Sequence, residues 1–102
     1  MTINEFQDWT AKYDQEGTDW CLTLGLVGEA GEYAEKVKKK YRRTPLVSSP
    51  EVMGKELGDV LWYLARLASL HGFKMTDIME MNVDKLESRA ARGVLQGEGD
   101  NR

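Results

Sequence analysis

The chain has 102 residues, 41% hydrophobic and 30% charged, and carries a formal net charge of −3. This is the size of one domain and the balance of an ordinary globular protein; it excludes a chain disordered throughout and, with no apolar run near the roughly 20 residues that cross a bilayer, a membrane-spanning helix. The negative charge also argues against a dedicated nucleic-acid binder, which needs a basic surplus to release counterions from phosphates. The segment Met1 to Trp9 has neither a basic n-region nor an apolar h-region, so no secretory leader is expected and a cytoplasmic location follows. Cys21 is the single cysteine; it rules out an intrachain disulfide and reads as a small buried hydrophobe.

Four helices are expected, in a bundle without strands. Thr2 and Glu5 have the capping-box spacing, and Ile3, Phe6, Thr10 and Tyr13 follow at helical intervals up to Glu16-Gly17. Thr18-Asp19 can cap a long second helix, Trp20 to about Tyr41, whose Leu22, Leu26, Ala30, Tyr33, Val37 and Tyr41 recur every three or four residues. Its basic end, Lys36 to Arg43, suits the negative pole of the helix dipole. Thr44-Pro45 breaks the pattern in a surface loop, and Ser48-Ser49-Pro50-Glu51 restarts it with proline in the first turn. The third stripe comprises Met53, Leu57, Val60, Leu61, Leu64, Leu67 and Ala68, and it closes at His71-Gly72. Thr76-Asp77 opens a fourth helix carrying Ile78, Met79, Val83 and Leu86 to about Ala91. Residues 1–92 thus form the helical domain, and 93–102 a flexible, glycine-rich tail.

The second helix contains Glu29-Ala-Gly-Glu32 and the third Glu56-Leu-Gly-Asp59. Carboxylates three apart share one helix face. At about 100° per residue each pair lies roughly 80 to 140° to one side of its apolar stripe, so antiparallel packing can bring the two pairs together. Four carboxylates in one place repel and raise one another's pKa unless a cation sits among them, and Mg²⁺ suits an all-oxygen donor set that leaves room for phosphates. Such spacings also occur on solvated faces by chance. Glycines 25, 28, 31, 54 and 58 stand where alanine would be better by about 1 kcal/mol each, which fits close helix approach around a crowded site or simply a tight bundle.

On the fourth helix Ile78, Asn82, Lys85 and Arg89 form a narrow strip beside the apolar face of Met75, Met79, Leu86 and Ala90. Lys85 and Arg89 can neutralise phosphate oxygens, and Asn82 can hold a sugar hydroxyl, a phosphate or a metal-bound water; a solvated face with ion pairs has the same pattern. Lys36, four residues after Glu32, is either a phosphate contact or a salt-bridge partner. Tyr63, four after Asp59, can line a base pocket, and Trp9 and Tyr13 are further stacking candidates, although aromatics at this spacing also serve as core. His71 reads as a helix-end residue, and with no second histidine a di-iron carboxylate bundle is disfavoured. There is no Walker loop and no nucleophile elbow.

Glu29-x-x-Glu32, a gap of 23 residues and Glu56-x-x-Asp59 resemble the E-x-x-E, E-x-x-D signature of the all-α nucleoside triphosphate pyrophosphohydrolases, in particular the MazG-like branch. The segments Leu26 to Glu35 and Lys55 to Tyr63, and Asn82-x-x-Lys85-Leu-x-x-Arg89, are similar to that branch as well. The resemblance implies a bundle completed by dimerisation, as a homodimer or a homotetramer. It further implies Mg²⁺ on Glu29, Glu32, Glu56 and Asp59, and hydrolysis of (d)NTP to (d)NMP and pyrophosphate by water attack at the α-phosphorus, in nucleotide-pool house-cleaning. Lys85 and Arg89 would clamp the phosphates, and Tyr63 with Trp9 and Tyr13 would select the base; beside the resemblance, Lys36 stands as a further phosphate candidate and Asn82 as a further substrate contact. Some relatives place an extra glutamate before the first motif position; Gly28 stands there in this chain, so a mechanism using that base does not transfer. Two other readings compete: a non-catalytic nucleotide- or metal-binding regulatory bundle, and a nucleic-acid binder using Lys36 to Arg43. No membrane and no stable nucleic-acid partner are expected.

Overall fold

The computed structural model describes residues 1–15, 17–42, 49–97 and 99. The chain opens on the capping box written in its sequence: the Glu5 N–H donates to Thr2 Oγ1 (3.1 Å) and the Thr2 N–H to Glu5 Oε1 (3.0 Å). Helix α1 runs Ile3–Thr10 and passes into a 3-10 turn, Ala11–Tyr13, so the first helix is shorter than its periodicity suggests. The Thr10 hydroxyl donates back to the Gln7 carbonyl (2.6 Å) and accepts from Arg66 Nε (2.8 Å), which competes with regular helix and tightens the chain at this point. Asp14 then turns the chain, its Oδ1 accepting from the N–H of Gly17, which stands at φ +59°.

Helices α2 (Asp19–Tyr41) and α3 (Pro50–Leu70) form the principal packing pair. Ser49 caps α3 by accepting from the Val52 N–H (3.3 Å), with proline in the first turn as expected. The connection at 43–48, including the break at Thr44-Pro45, lies outside the described residues. Register between the two helices is antiparallel: Gly25 meets Tyr63, and one turn on along α2 Glu29 meets Asp59, one turn back along α3. A Cβ at Gly25 would overlap the Tyr63 ring, so only glycine admits the ring there. Gly28, Gly31, Gly54 and Gly58 have open space beside them, so of the five helical glycines close approach holds at Gly25.

Helix α3 ends at His71, followed by Gly72 at φ +79°. Helix α4 spans Met75–Ala91, starting one residue ahead of the expected Thr76-Asp77 because α1 caps it. The Met75 N–H donates to Gln7 Oε1 (2.8 Å) and the Thr76 N–H to Asn4 Oδ1 (3.2 Å), while Asp77 Oδ2 accepts from the Lys74 N–H (2.9 Å). The result is an all-α single domain with no strand among the described residues.

The fully buried apolar core is small: Leu22, Ala65, Ala68 and Met75, with Ile3 and Leu61 packed against the last three. Cys21 is only half-buried. Leu57 and Leu64 of the α3 stripe remain exposed, as do Trp20, Leu24 and Val27 on α2 and Met79, Met81 and Val83 on α4. The radius of gyration is 16.3 Å, where about 13 Å is usual for this length. The chain exposes 7525 Å², against about 5,800 Å² for a monomer of its 11.6 kDa mass.

Candidate metal centre

The antiparallel pairing of α2 and α3 is what creates the site. Glu29, Glu56 and Asp59 each bring one carboxylate oxygen into a group whose members all lie within 4.8 Å of one another. Glu29 and Glu56 are half-buried and Asp59 is exposed, so the group opens to solvent on one side. Burial raises the Glu29 carboxyl above its ordinary value of 4.5, and the charges of Asp59, Glu56 and Glu32 push it further the same way. Glu32, exposed, is outside the group of three but close enough to act on it electrostatically.

These donors fit a hard divalent ion. Oxygens around octahedral Mg²⁺ sit about 3 Å apart when adjacent and about 4.2 Å when opposite, so rotamer adjustment of surface-facing carboxylates closes a 4.8 Å spread onto one ion. Surplus negative charge on Glu29 is what such an ion would relieve. Lys36, one turn beyond Glu32, places its Nζ 4.0 Å from Glu56 Oε1. Of the two roles expected for it, this geometry is that of the salt-bridge partner.

The other expected site residues are distributed more widely. Tyr63 is half-buried between Gly25 and the edge of Trp62, whose ring centroid lies 5.0 Å away; it stands one turn along α3 from Asp59, beside the carboxylates. Asn82 and Lys85 are exposed on α4 and line, with Ile78 and Met81, a cleft of about 270 Å³. Arg89, expected as a phosphate clamp, is 4% exposed and donates from Nη2 to the Gly99 carbonyl (3.2 Å). The C-terminal segment returns to it through a turn in which the Val94 N–H bonds the Arg89 carbonyl (2.9 Å) and Gly93 takes φ +72°. Trp9 and Tyr13 are 41% and 58% exposed and form a ring series with Phe6, centroids 5.8 and 5.1 Å apart. They belong to α1 and the turn after it, which pack on α3 near Arg66 and Ser69, about two turns from Asp59. The structure therefore groups the carboxylates of α2 and α3 with Lys36, with Tyr63 one turn along α3, while Trp9 and Tyr13 pack about two turns further along that helix.

One polar centre escaped the sequence reading. Arg66 is buried and donates to Thr10 Oγ1 (2.8 Å), the Gln7 carbonyl (3.1 Å), Ser69 Oγ (3.0 Å) and Asp14 Oδ2 (3.4 Å). Gln7 Nε2 in turn donates to Ser69 Oγ (2.9 Å) and the Phe73 carbonyl (2.8 Å). The available signal was a lone charge inside the run Val60 to Leu70, since an arginine in so apolar a stretch is buried only with partners.

Fold and site together define an all-α protein with a two-helix carboxylate centre. The family model of the MazG nucleotide pyrophosphohydrolase domain matches residues 18–94, and the chain belongs to that family. It is similar to the Gene 37 protein of Mycobacterium phage L5, with 49% identity over 84 residues, covering 79% of this chain and 74% of the phage protein. No solved structure matches the chain.

Proposed function

We propose that the protein is an Mg²⁺-dependent pyrophosphohydrolase that converts nucleoside triphosphates, ribo or deoxy, into the monophosphate and pyrophosphate, in a cytoplasmic nucleotide pool. The observation that carries this reading is the convergence of Glu29, Glu56 and Asp59 from two helices in a chain of the MazG family. Glu29, Glu56 and Asp59 would hold Mg²⁺, with Glu32 at the edge of the set. Bound there, the ion supplies charge neutralisation on the phosphates and activation of water. Water adds at the α-phosphorus, the bond to the bridging oxygen breaks, pyrophosphate leaves with the electron pair, and a carboxylate of the group takes the proton. Lys36 and Lys85 offer cationic contacts to phosphate oxygens, Arg89 joining them if its tail contact opens. Tyr63 beside the carboxylates offers a face to the base, with Asn82, Trp9 and Tyr13 as nucleoside contacts from α4 and α1.

The active species in this reading is a homodimer, or a tetramer built from it. Its support is the roughly 1,700 Å² of surface beyond that of a self-contained chain of this mass, a figure within the range one partner contributes to an obligate homodimer. The exposed apolar rows of α2 and α4 are the surface to be covered. Sedimentation equilibrium should return a multiple of 11.6 kDa; a monomer would remove this part of the reading.

The deciding assay follows monophosphate and pyrophosphate release from a panel of NTPs, dNTPs and modified nucleotides, with Mg²⁺ and with EDTA. We expect metal-dependent release of both products, lost at least about a hundredfold in Glu56→Gln and Asp59→Asn, with helical circular dichroism unchanged. Near-normal activity in both variants would end the metal assignment. The rival reading, a bundle that binds metal or nucleotide without turnover, draws on the engagement of Arg89 by the chain's own Gly99. Binding without product across the panel would select it.

A further inference from the structure

The carboxylate group is a cluster of like charges, so a cation beside it lowers their mutual repulsion. Lys36 is a cation that meets it among the described residues. Two turns beyond Glu29 on α2, it lies on nearly the same helix face, and the tilt of helical side chains toward the N-terminus brings its stem back to the level of Glu56. Nζ stops 4.0 Å from Glu56 Oε1, and the two side chains are 22% and 16% exposed, so the pair is more sheltered than a free surface contact. The neighbouring pair, Lys38 with Glu35 at 3.8 Å, is 51% and 45% exposed.

We propose that Lys36 is a displaceable internal counter-ion. Its ammonium occupies Glu56 while the centre holds no metal, a divalent cation takes Glu56 from it, and the released ammonium becomes available to an anionic oxygen of the ligand. This rests on the metal-centre reading above. An ion of charge +2 contacts several carboxylate oxygens at about 2.1 Å, whereas the ammonium touches one carboxylate at longer range. The ion therefore wins, and the two cations then repel at short distance. A lysine can leave at little cost, because its charge rides on a flexible four-carbon stem. Two cations that compete for one carboxylate are linked: whatever the Lys36–Glu56 pair contributes to the metal-free protein is subtracted from metal affinity.

The test is the affinity of the full chain for Mn²⁺, read as free ion by EPR without nucleotide. Lys36→Met should bind roughly three- to tenfold more tightly than wild type. Lys36→Arg keeps the charge and should stay close to wild type. Lys38→Met removes the same charge two residues away and should shift affinity by less than about twofold. In EDTA, Lys36→Met should melt below wild type, and saturating Mg²⁺ should close the gap. Should the methionine variant fail to fold, Lys36→Gln serves in its place. Unchanged or weaker Mn²⁺ binding in the neutral variants would overturn the counter-ion role, as would a melting deficit equal with and without metal. Absence of divalent binding in wild type would overturn the metal centre itself.

Discussion

Helix α3 carries two polar clusters about two turns apart, and they are built on opposite plans. Around Arg66 one buried cation meets a carboxylate, two hydroxyls and a backbone carbonyl, and Gln7 ties the same hydroxyl to the carbonyl of Phe73. Around Glu56 and Asp59 three carboxylates face one another with Lys36 at the margin. The first cluster is balanced in charge and in donors and acceptors, so folding completes it. The second keeps a surplus of one sign among the described residues. A balanced polar cluster inside a small domain is part of the scaffold; an unbalanced one near a surface is a place for a ligand.

That contrast is broken most directly by removing the charge at the centre of each cluster. Arg66→Met should destabilise the protein by about 3 kcal/mol, because Asp14, Thr10 and Ser69 lose their donor in a buried setting and α1 loses its hold on α3. Thermal unfolding should shift downward by more than about 10 °C. The loss should appear equally with and without Mg²⁺, since Arg66 belongs to the scaffold. A shift under about 3 °C would mean that the network does not hold α1, and the distinction between the two clusters would lose its first half.

How much of this was legible beforehand follows from the same contrast. The four helices, the capping box at Thr2, the proline start of α3 and the glycine stop at Gly72 are local, and local signals suffice for them. The convergence of Glu29 with Glu56 and Asp59 was legible because helical period and antiparallel packing are both regular. What sequence does not encode locally is which long-range partner a side chain meets. The 3-10 turn at Ala11–Tyr13 depends on Arg66, which is 56 residues from Thr10. The early start of α4 depends on Asn4 and Gln7, and the covering of Arg89 on a tail read as flexible. Glycine shows the same limit: propensity marks an unusual residue, but the Tyr63 ring shows which glycine is under steric demand.

The smaller and sharper prediction concerns Glu29. Its carboxyl is raised above 4.5 by burial and by Asp59, Glu56 and Glu32, so the folded metal-free protein holds this proton more tightly than the unfolded chain does. The stabilising contribution is therefore fully present below the unfolded value and disappears as pH rises through the raised folded value. At neutral pH the ionised group opposes folding. Glu29→Gln is neutral throughout, so in EDTA near pH 7 it should melt above wild type by about 2–4 °C, a modest shift because the group is partly solvated. The two curves should converge as pH is lowered through the titration of Glu29. Saturating Mg²⁺ should invert the order, since wild type then gains the stabilisation of a bound ion and the variant lacks one of its ligands. If Glu29→Gln instead melts below wild type in EDTA at neutral pH, the carboxylate is supporting the fold as Arg66 does, and the two ends of α3 are not built on different plans.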